Sequence, residues 1–263
     1  MPGFLIDLDG TMYAGNRQIP HAASFIRELE RRGWPYLYVT NNSSRTPEQV
    51  AAHISEVVGI EARSENVLSS AQAAAAYIAE RREGRRVYAI GEAGLRQALT
   101  DAGLELVEEQ PDYVVQGIDR QFTYAKLEAA VRHIAAGAVS IMTNPDHMLP
   151  GDGGLSPGAG SLGAAIRMAS GIEPVVIGKP SPIIMRYAVE RLGLPTAHIW
   201  AVGDNMRTDI GGGIAAGCRT ALVLTGVATA ANVEAQLSEA GCKPDLVCGD
   251  LAELLERLDG AAG

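Results

Sequence analysis

Short apolar runs of strand character alternate with helical segments along almost the whole 263-residue chain. The strand-like runs cover residues 4–7, 36–40, 87–90, 113–116, 139–143, 175–177, 199–202, 220–224 and 246–248. Helical periodicity appears at 21–32, 47–58, 71–82, 95–102, 124–135, 162–169, 182–192, 232–240 and 251–258. This regular alternation predicts an α/β fold with a doubly wound, mainly parallel sheet of the Rossmann type and helices on both faces.

The middle of the chain differs from its two ends. Between residues 91 and 175 the strand-like runs carry fewer acidic residues at their ends. We therefore expect residues 1–90 and 176–263 to form one core, and residues 91–175 to form an inserted α/β domain with its own small sheet. A glycine- and proline-rich stretch at 144–161 predicts a long functional loop, with a plain surface loop as the alternative.

Composition excludes several classes of partner. The net charge is −9 without a dense basic run, which argues against nucleic-acid and anionic-membrane partners. No apolar stretch approaches the ~18–20 residues of a membrane span, and the acid-bearing first strand leaves no room for a signal peptide. Three cysteines without a paired C-x-x-C spacing argue against a disulfide framework and a zinc site. These features predict a cytoplasmic protein.

Two carboxylates stand at the end of the first strand-like run, in Asp7-Leu8-Asp9-Gly10-Thr11. Open α/β sheets bind ligands at the carboxyl ends of their strands. Burying a carboxylate pair is unfavourable unless a cation or a proton offsets the repulsion. The pair therefore predicts contact with a metal and a substrate, with an ordinary Asp-Gly turn as the alternative.

The second motif follows the run 36–40, which ends in Thr40-Asn41-Asn42. A helix comes next, with Thr46 as a natural N-cap and proline in its first position. The N–H groups at such a junction, together with the Thr40 hydroxyl, suit phosphate oxygens. Capping and turn chemistry alone would explain the same pattern.

A lysine and two further acids follow later strands. Lys179 comes after an apolar run and stands between glycine and proline, where its ammonium could neutralise a phosphate and a carboxylate. A solvated surface lysine is the alternative. Asp204 follows the run 199–202, and Asp209 comes five residues later near a helix start, where it could instead be an N-terminal helix charge. Mg²⁺ prefers hard oxygen ligands, and Asp7, Asp9 and Asp204 suit it.

Four motifs in this order resemble those of the haloacid dehalogenase (HAD) superfamily: Asp7-x-Asp9-Gly10-Thr11, Thr40-Asn41-Asn42, Gly178-Lys179-Pro180 and Gly203-Asp204-x-x-x-Thr208-Asp209. The large insertion between the second and third motifs resembles the NagD-type branch, with its p-nitrophenyl, phosphoglycolate and pyridoxal phosphatases. The resemblance implies a HAD-like catalytic core with an inserted cap domain of the C2 type.

The resemblance also implies an activity. It is Mg²⁺-dependent hydrolysis of a small phosphorylated metabolite through an aspartyl-phosphate on Asp7. Asp9 would protonate the leaving group and then accept a proton from water, and Lys179 would bridge Asp7 and the phosphate. Asp7, the Asp9 backbone carbonyl and Asp204 would bind the metal, with Asp209 orienting the site. Thr40, Asn41 and Asn42 would bind the phosphate. In the cap, the residues expected to bind the substrate are Asn144, Asp146 and His147.

Alternative functions remain open at this point. A dehalogenase shares this core, although it needs no acid two residues after the nucleophile. A receiver-like signalling domain or a catalytically silent phosphate-binding protein would also place acids, threonine and lysine at strand ends. The substrate could be a sugar phosphate, a nucleotide, phosphoglycolate or pyridoxal phosphate. A homo-oligomer formed through the cap domain is also open.

Overall fold

The computed structural model describes residues 1–151 and 154–260. The chain divides into two compact units. The first unit contains Met1–Thr40, Val50–Leu68 and the chain from Met185 onwards. The second unit contains Asn41–Gln49 and Ser69–Ile184.

The strands follow one another in this order: β1 (Gly3–Ile6), β2 (Tyr13–Ala14), β3 (Arg17–Gln18), β4 (Tyr36–Thr40), β5 (Val67–Ser69), β6 (Arg86–Ile90), β7 (Glu105–Leu106), β8 (Tyr113–Gln116), β9 (Val139–Met142), β10 (Met148–Gly151), β11 (Gly154–Pro157), β12 (Val175–Val176), β13 (Ile199–Gly203), β14 (Arg219–Val223) and β15 (Leu246–Cys248).

The α-helices are α1 (Ala22–Arg31), α2 (Pro47–Val58), α3 (Ser70–Arg81), α4 (Ala93–Asp101), α5 (Tyr124–Ala135), α6 (Ala159–Ser170), α7 (Pro182–Leu192), α8 (Gly211–Ala215), α9 (Val233–Ala240) and α10 (Leu251–Gly260). Short 3₁₀ segments cover Ser64–Asn66 and Thr196–His198, and a π-helical turn covers Met206–Ile210. None of the helices in the described ranges combines the length and apolar character that a membrane crossing requires.

Six strands from both ends of the chain form one sheet in the order β15-β14-β13-β1-β4-β5. Strand β1 pairs in parallel with β13 on one side and with β4 on the other. The register runs from Gly3 opposite Ile199 to Ile6 opposite Val202, so β1 and β13 end side by side. The prediction of a Rossmann-like parallel sheet is thereby confirmed.

The core of the first unit packs around β1 and α1. Apolar residues on α1 recur at the spacing of one helical face, with Ala22, Phe25, Ile26 and Leu29 all buried. The ring of Phe25 meets that of Phe4 edge-on, with 5.8 Å between centroids. Burial of this face holds α1 against the sheet and fixes the strand that carries the first motif.

The second unit has its own parallel sheet, in the order β12-β9-β8-β6-β7. Strand β6 pairs with β8 from Val87 opposite Tyr113 to Ile90 opposite Gln116. We expected this strand in the core, with the boundary at residue 90, so the structure moves it into the inserted part. An apolar run predicts a strand but carries no signal for which of two parallel sheets it joins.

The glycine-rich stretch after β9 is only partly a loop. Strands β10 and β11 pair in antiparallel fashion, starting with Met148 opposite Pro157. The prediction of a continuous loop over 144–161 is therefore wrong for this hairpin, whose short strands are too glycine- and proline-rich to show an alternating pattern. Residues 152 and 153 of the predicted loop lie outside the described residues.

Candidate active site

An acidic cluster lies at the carboxyl edge of the first unit's sheet. Asp7 follows β1, Asp204 follows β13, and Asp209 lies in the π-helical turn. One carboxylate oxygen from each of the three lies within 4.8 Å of the other two. The side-by-side ends of β1 and β13 bring Asp7 and Asp204 together, as the sequence predicts.

The carboxylate of Asp209 is held by its own turn. Its Oδ2 accepts a hydrogen bond of 3.0 Å from the Asn205 N–H, and its Oδ1 accepts one of 3.3 Å from the Thr208 hydroxyl. A Cβ atom on Gly203 would lie only 2.3 Å from Asp209 Cγ, so only glycine fits there. Asp209 is therefore both oriented by the chain and close enough to share a cation with Asp7 and Asp204.

The carboxylate of Asp204 is held by the loop after β14. Its Oδ2 accepts a hydrogen bond of 2.5 Å from the Val227 N–H, and its backbone carbonyl accepts one of 2.9 Å from the Ala228 N–H. Asp204 is only 2% exposed. Because one oxygen faces the loop, the orientation of the whole carboxylate is set by backbone geometry.

The same loop contacts the turn after β1. The Thr225 hydroxyl donates a hydrogen bond of 2.6 Å to the Gly10 carbonyl. Cβ atoms on Gly10 and Gly226 would lie 2.3 Å and 2.0 Å from Asp204 Oδ2. This loop is not among the predicted site segments, although Thr225-Gly226 follows an apolar strand just as the four motifs do.

Asp9 takes a different position from the clustered acids. It is exposed, and its carboxylate is not part of the cluster that the described residues form. The adjacent Gly10 has a φ of +90°, and its N–H donates a hydrogen bond of 2.7 Å to the Tyr13 carbonyl. The predicted metal contact of Asp9 involves its backbone carbonyl and does not depend on this carboxylate.

The cluster fits a hard divalent cation. Asp204 and Asp209 are almost fully buried, at 2% and 4% exposure, and Asp7 is half-buried. Carboxylates this close destabilise one another in a buried site unless a cation or a proton compensates. The donor set contains only carboxylate oxygens, which are the ligands that Mg²⁺ prefers.

In the second unit, the segment after β4 is ordered by its own side chains. Asn42 Oδ1 accepts hydrogen bonds from the Ser44 N–H at 2.8 Å and from the Arg45 N–H at 3.3 Å. The Thr46 hydroxyl accepts from the Gln49 N–H at 3.3 Å, while the Thr46 N–H donates to Gln49 Oε1 at 3.0 Å. Thr46 is thus the predicted N-cap of α2, and the side-chain oxygen of Asn42 stabilises the turn.

Lys179 is buried, with 4% of its surface exposed. The alternative of an ordinary solvated lysine is therefore wrong. A buried ammonium requires compensating acceptors or anions, which makes it suited to a phosphate group. Its backbone carbonyl accepts a hydrogen bond of 3.0 Å from Asn41 Nδ2.

The predicted substrate-binding residues after β9 differ among themselves. Asn144 is 5% exposed; its Nδ2 donates to the Asn41 carbonyl at 2.8 Å and its Oδ1 accepts from the Asp146 N–H at 3.2 Å. Asn144 therefore bonds within the unit, and its predicted substrate contact stays a prediction. Asp146 Oδ2 accepts from Asn41 Nδ2 at 3.0 Å, and His147 is exposed.

Comparisons with known proteins agree with this geometry. Residues 4–105 match the family described as haloacid dehalogenase-like hydrolase, and residues 176–254 match a HAD-hydrolase-like family. The 5'-nucleotidase YutF of Bacillus subtilis strain 168 is 48% identical over 225 residues, covering 86% of this chain and 88% of that protein. The acid sugar phosphatase of Staphylococcus aureus strain USA300 is 47% identical over 232 residues, covering 88% and 89%.

Solved structures are similar over nearly the whole chain. The p-nitrophenyl phosphatase from Archaeoglobus fulgidus has a TM-score of 0.92 at 34% identity, covering 97% of this chain and 98% of that one. NagD from E. coli K-12 has a TM-score of 0.88 at 32% identity, covering 96% and 98%. The predicted fold class, NagD-type resemblance and phosphatase class are confirmed, and a receiver-like domain is excluded. The chain belongs to the haloacid dehalogenase-like hydrolases, alongside NagD and the p-nitrophenyl phosphatases.

Proposed function

We propose that the chain is an Mg²⁺-dependent phosphomonoester hydrolase that forms an aspartyl-phosphate on Asp7. The observation that carries the proposal is the cluster of Asp7, Asp204 and Asp209 at the sheet edge, in a chain whose relatives are phosphatases. Phosphoryl transfer depends mainly on alignment and charge neutralisation, and this cluster with a bound cation supplies both.

Asp7 is the proposed nucleophile. A carboxylate with an ordinary pKa near ~3.9 is already ionised at neutral pH, so Asp7 needs no separate base. Its oxygen would attack phosphorus while the bond to the leaving oxygen breaks. Asp9 would give its proton to that leaving oxygen and later accept one from the water that hydrolyses the aspartyl-phosphate. The exposed position of the Asp9 carboxyl supports exchange of this proton with solvent.

Mg²⁺ would be held by Asp7, the Asp9 backbone carbonyl and Asp204, with Asp209 orienting the site. When bound, the cation would neutralise the charge that gathers on the phosphoryl oxygens. The hydrogen bonds from Asn205 and Thr208 to both Asp209 oxygens support an orienting role for Asp209.

The phosphoryl group would be bound by Thr40, Asn41, Asn42 and Lys179. Burial of Lys179 supports this role, because an ammonium in a dry site attracts a phosphate more strongly than one in water. We further propose that the sheet with the acidic cluster belongs to the catalytic core, and that the inserted part is a cap that chooses the substrate, with His147 at its surface.

The substrate class we propose is a small phosphorylated metabolite. The names of the relatives, a 5'-nucleotidase and an acid sugar phosphatase, support nucleoside monophosphates and sugar phosphates as first candidates. The free state of Cys218, Cys242 and Cys248 supports a reducing, cytoplasmic location. Self-association through the cap stays a prediction.

The experiment is phosphate release from p-nitrophenyl phosphate with and without Mg²⁺. Chelation by EDTA should abolish turnover and Mg²⁺ should restore it, while Asp7→Asn should lose it at every metal concentration. Asp101→Asn, which changes an exposed carboxylate at the end of α4, is the matched control and should retain full activity. Full turnover without any divalent metal, or in Asp7→Asn, would reject the proposal.

A further inference from the structure

Four hydrogen bonds converge on Asn41 in the second unit. Its carbonyl accepts from the Ser70 hydroxyl at 2.6 Å and from Asn144 Nδ2 at 2.8 Å. Its side-chain Nδ2 donates to Asp146 Oδ2 and to the Lys179 carbonyl, both at 3.0 Å. The partners come from positions 29, 103, 105 and 138 residues further along the chain, so Asn41 joins segments that are distant in sequence.

The orientation of the Asn41 amide is fixed by chemistry. A carboxylate and a carbonyl can only accept hydrogen bonds, so the amide nitrogen, and not the oxygen, must face Asp146 and Lys179. An amide nitrogen has two hydrogens, and both are used by these partners. The side chain is therefore an anchor for the turn, and the proposed phosphate contact of Asn41 falls to its backbone N–H.

The main chain at Asn41 is held equally firmly. A carbonyl oxygen has two lone pairs, and the Ser70 and Asn144 donors account for both. Ser70 is fully buried and Asn144 is 5% exposed, so both bonds lie away from competing water. A Cβ atom on Gly178 would lie 2.6 Å from Asn41 Oδ1, so Gly178 lies close to the amide oxygen of Asn41.

We infer that Ser70, Asn144 and Asp146 are positioning residues for Asn41, and that they set the phosphate-binding geometry instead of choosing the substrate. The inference rests on the proposed function of Asn41. Asp146 accepts from the same Asn41 amide nitrogen that donates to the Lys179 carbonyl, so its carboxylate helps to hold the side chain that links two proposed phosphate-binding segments. Displacing a binding group by about 1 Å is expected to reduce catalysis by about 100-fold, whatever the leaving group.

The test compares Ser70→Ala, Asn144→Ala and Asp146→Ala on p-nitrophenyl phosphate and on the best metabolite from a substrate panel. A positioning role predicts that kcat/KM falls about 10- to 100-fold by the same factor on both substrates, and that inhibition by inorganic phosphate weakens in parallel. Ser140→Ala is the control, because Ser140 on β9 is also buried and is not one of the four hydrogen-bond partners of Asn41.

The outcomes distinguish a failure of the proposed function from a failure of the positioning role. If the wild type does not release phosphate, the proposed function fails. If the wild type is active, two results would overturn only the positioning role. In the first, the variants have the same kcat/KM values as Ser140→Ala. In the second, they retain kcat/KM on p-nitrophenyl phosphate while the ratio between the two substrates changes more than tenfold. Asn144→Asp replaces any Asn144→Ala protein that melts below the assay temperature, since it keeps the side-chain volume and the acceptor for the Asp146 N–H while losing the donor to Asn41.

Discussion

Gly226 lies so close to Asp204 that a Cβ atom on Gly226 would stand 2.0 Å from Asp204 Oδ2. Gly226→Ala should therefore push the carboxylate out of its place in the acidic cluster. We expect the affinity for Mn²⁺, measured by electron paramagnetic resonance of the free ion, to fall at least about tenfold. Gly260→Ala, at a position where a Cβ atom meets open space, should bind Mn²⁺ like the wild type. Equal affinities in the two variants would contradict the steric argument.

Asp204 and Asp209 should contribute unequally to metal binding. Both Asp209 oxygens accept hydrogen bonds within the turn, which suits an orienting role, whereas Asp204 directly follows β13 and is a proposed ligand of the cation. Asp209→Asn should therefore weaken Mn²⁺ binding by about 10- to 100-fold, the range expected for an orienting residue, and Asp204→Asn should weaken it more. Titration calorimetry measures both, and a larger loss in Asp209→Asn would reverse the two roles.

The three cysteine thiols differ in burial. Burial raises the pKa of Cys218 and of Cys248 from the usual 9.0 to about 11, while Cys242 is partly exposed. At pH 8, Ellman's reagent should react rapidly with Cys242 and slowly with the buried pair, because the thiolate is the reacting form. Cys242→Ser should remove the fast phase. A fast phase that survives this substitution would show that a buried thiol is accessible.

The same shifts predict how stability depends on pH. Because the folded thiols keep their protons up to about pH 11, whereas unfolded thiols lose them near 9, their contribution is complete below pH 9 and is lost as the pH rises towards 11. The thermal midpoint should decline over this window. A midpoint that rises between pH 9 and 11 would contradict the predicted sign.

The contact between α1 and the sheet should be a major source of stability. Phe25 is fully buried and packs edge-on against Phe4. Phe25→Ala should lower the free energy of unfolding by about 3–5 kcal/mol, as measured by urea denaturation. The exposed Ser24→Ala on the same helix is the control, and a similar loss in both variants would show that the helix, not the ring, is responsible.

The residues that follow the ends of strands are the part of the site that was best predicted from the sequence. Asp7 and Asp204 each follow an apolar run, and parallel pairing of β1 with β13 brings those ends together without further information. Long helical segments such as α2 and its Thr46 cap were also predictable, because local periodicity and capping chemistry suffice.

What the sequence left open depends on contacts between distant segments. The apolar run of β6 is equally compatible with either sheet, and its pairing with β8 is decided only in three dimensions. The polar side chain of Asn144 suggested a substrate contact, and nothing in its local sequence shows that its amide nitrogen donates to the Asn41 carbonyl, 103 residues earlier. Thr225 and Gly226 carried the strand-end signal and were missed because threonine and glycine are common in turns.

Asp7 is the residue proposed to carry the phosphoryl group during turnover. Acid quenching during turnover of p-nitrophenyl phosphate, borohydride reduction and peptide mass spectrometry should find homoserine at position 7, because borohydride reduces an acyl phosphate to an alcohol. Asp9→Asn should increase this yield, since the water that hydrolyses the aspartyl-phosphate loses its base. Phosphate release by a protein whose Asp7 stays unmodified, or modification of another carboxylate in its place, would contradict the account.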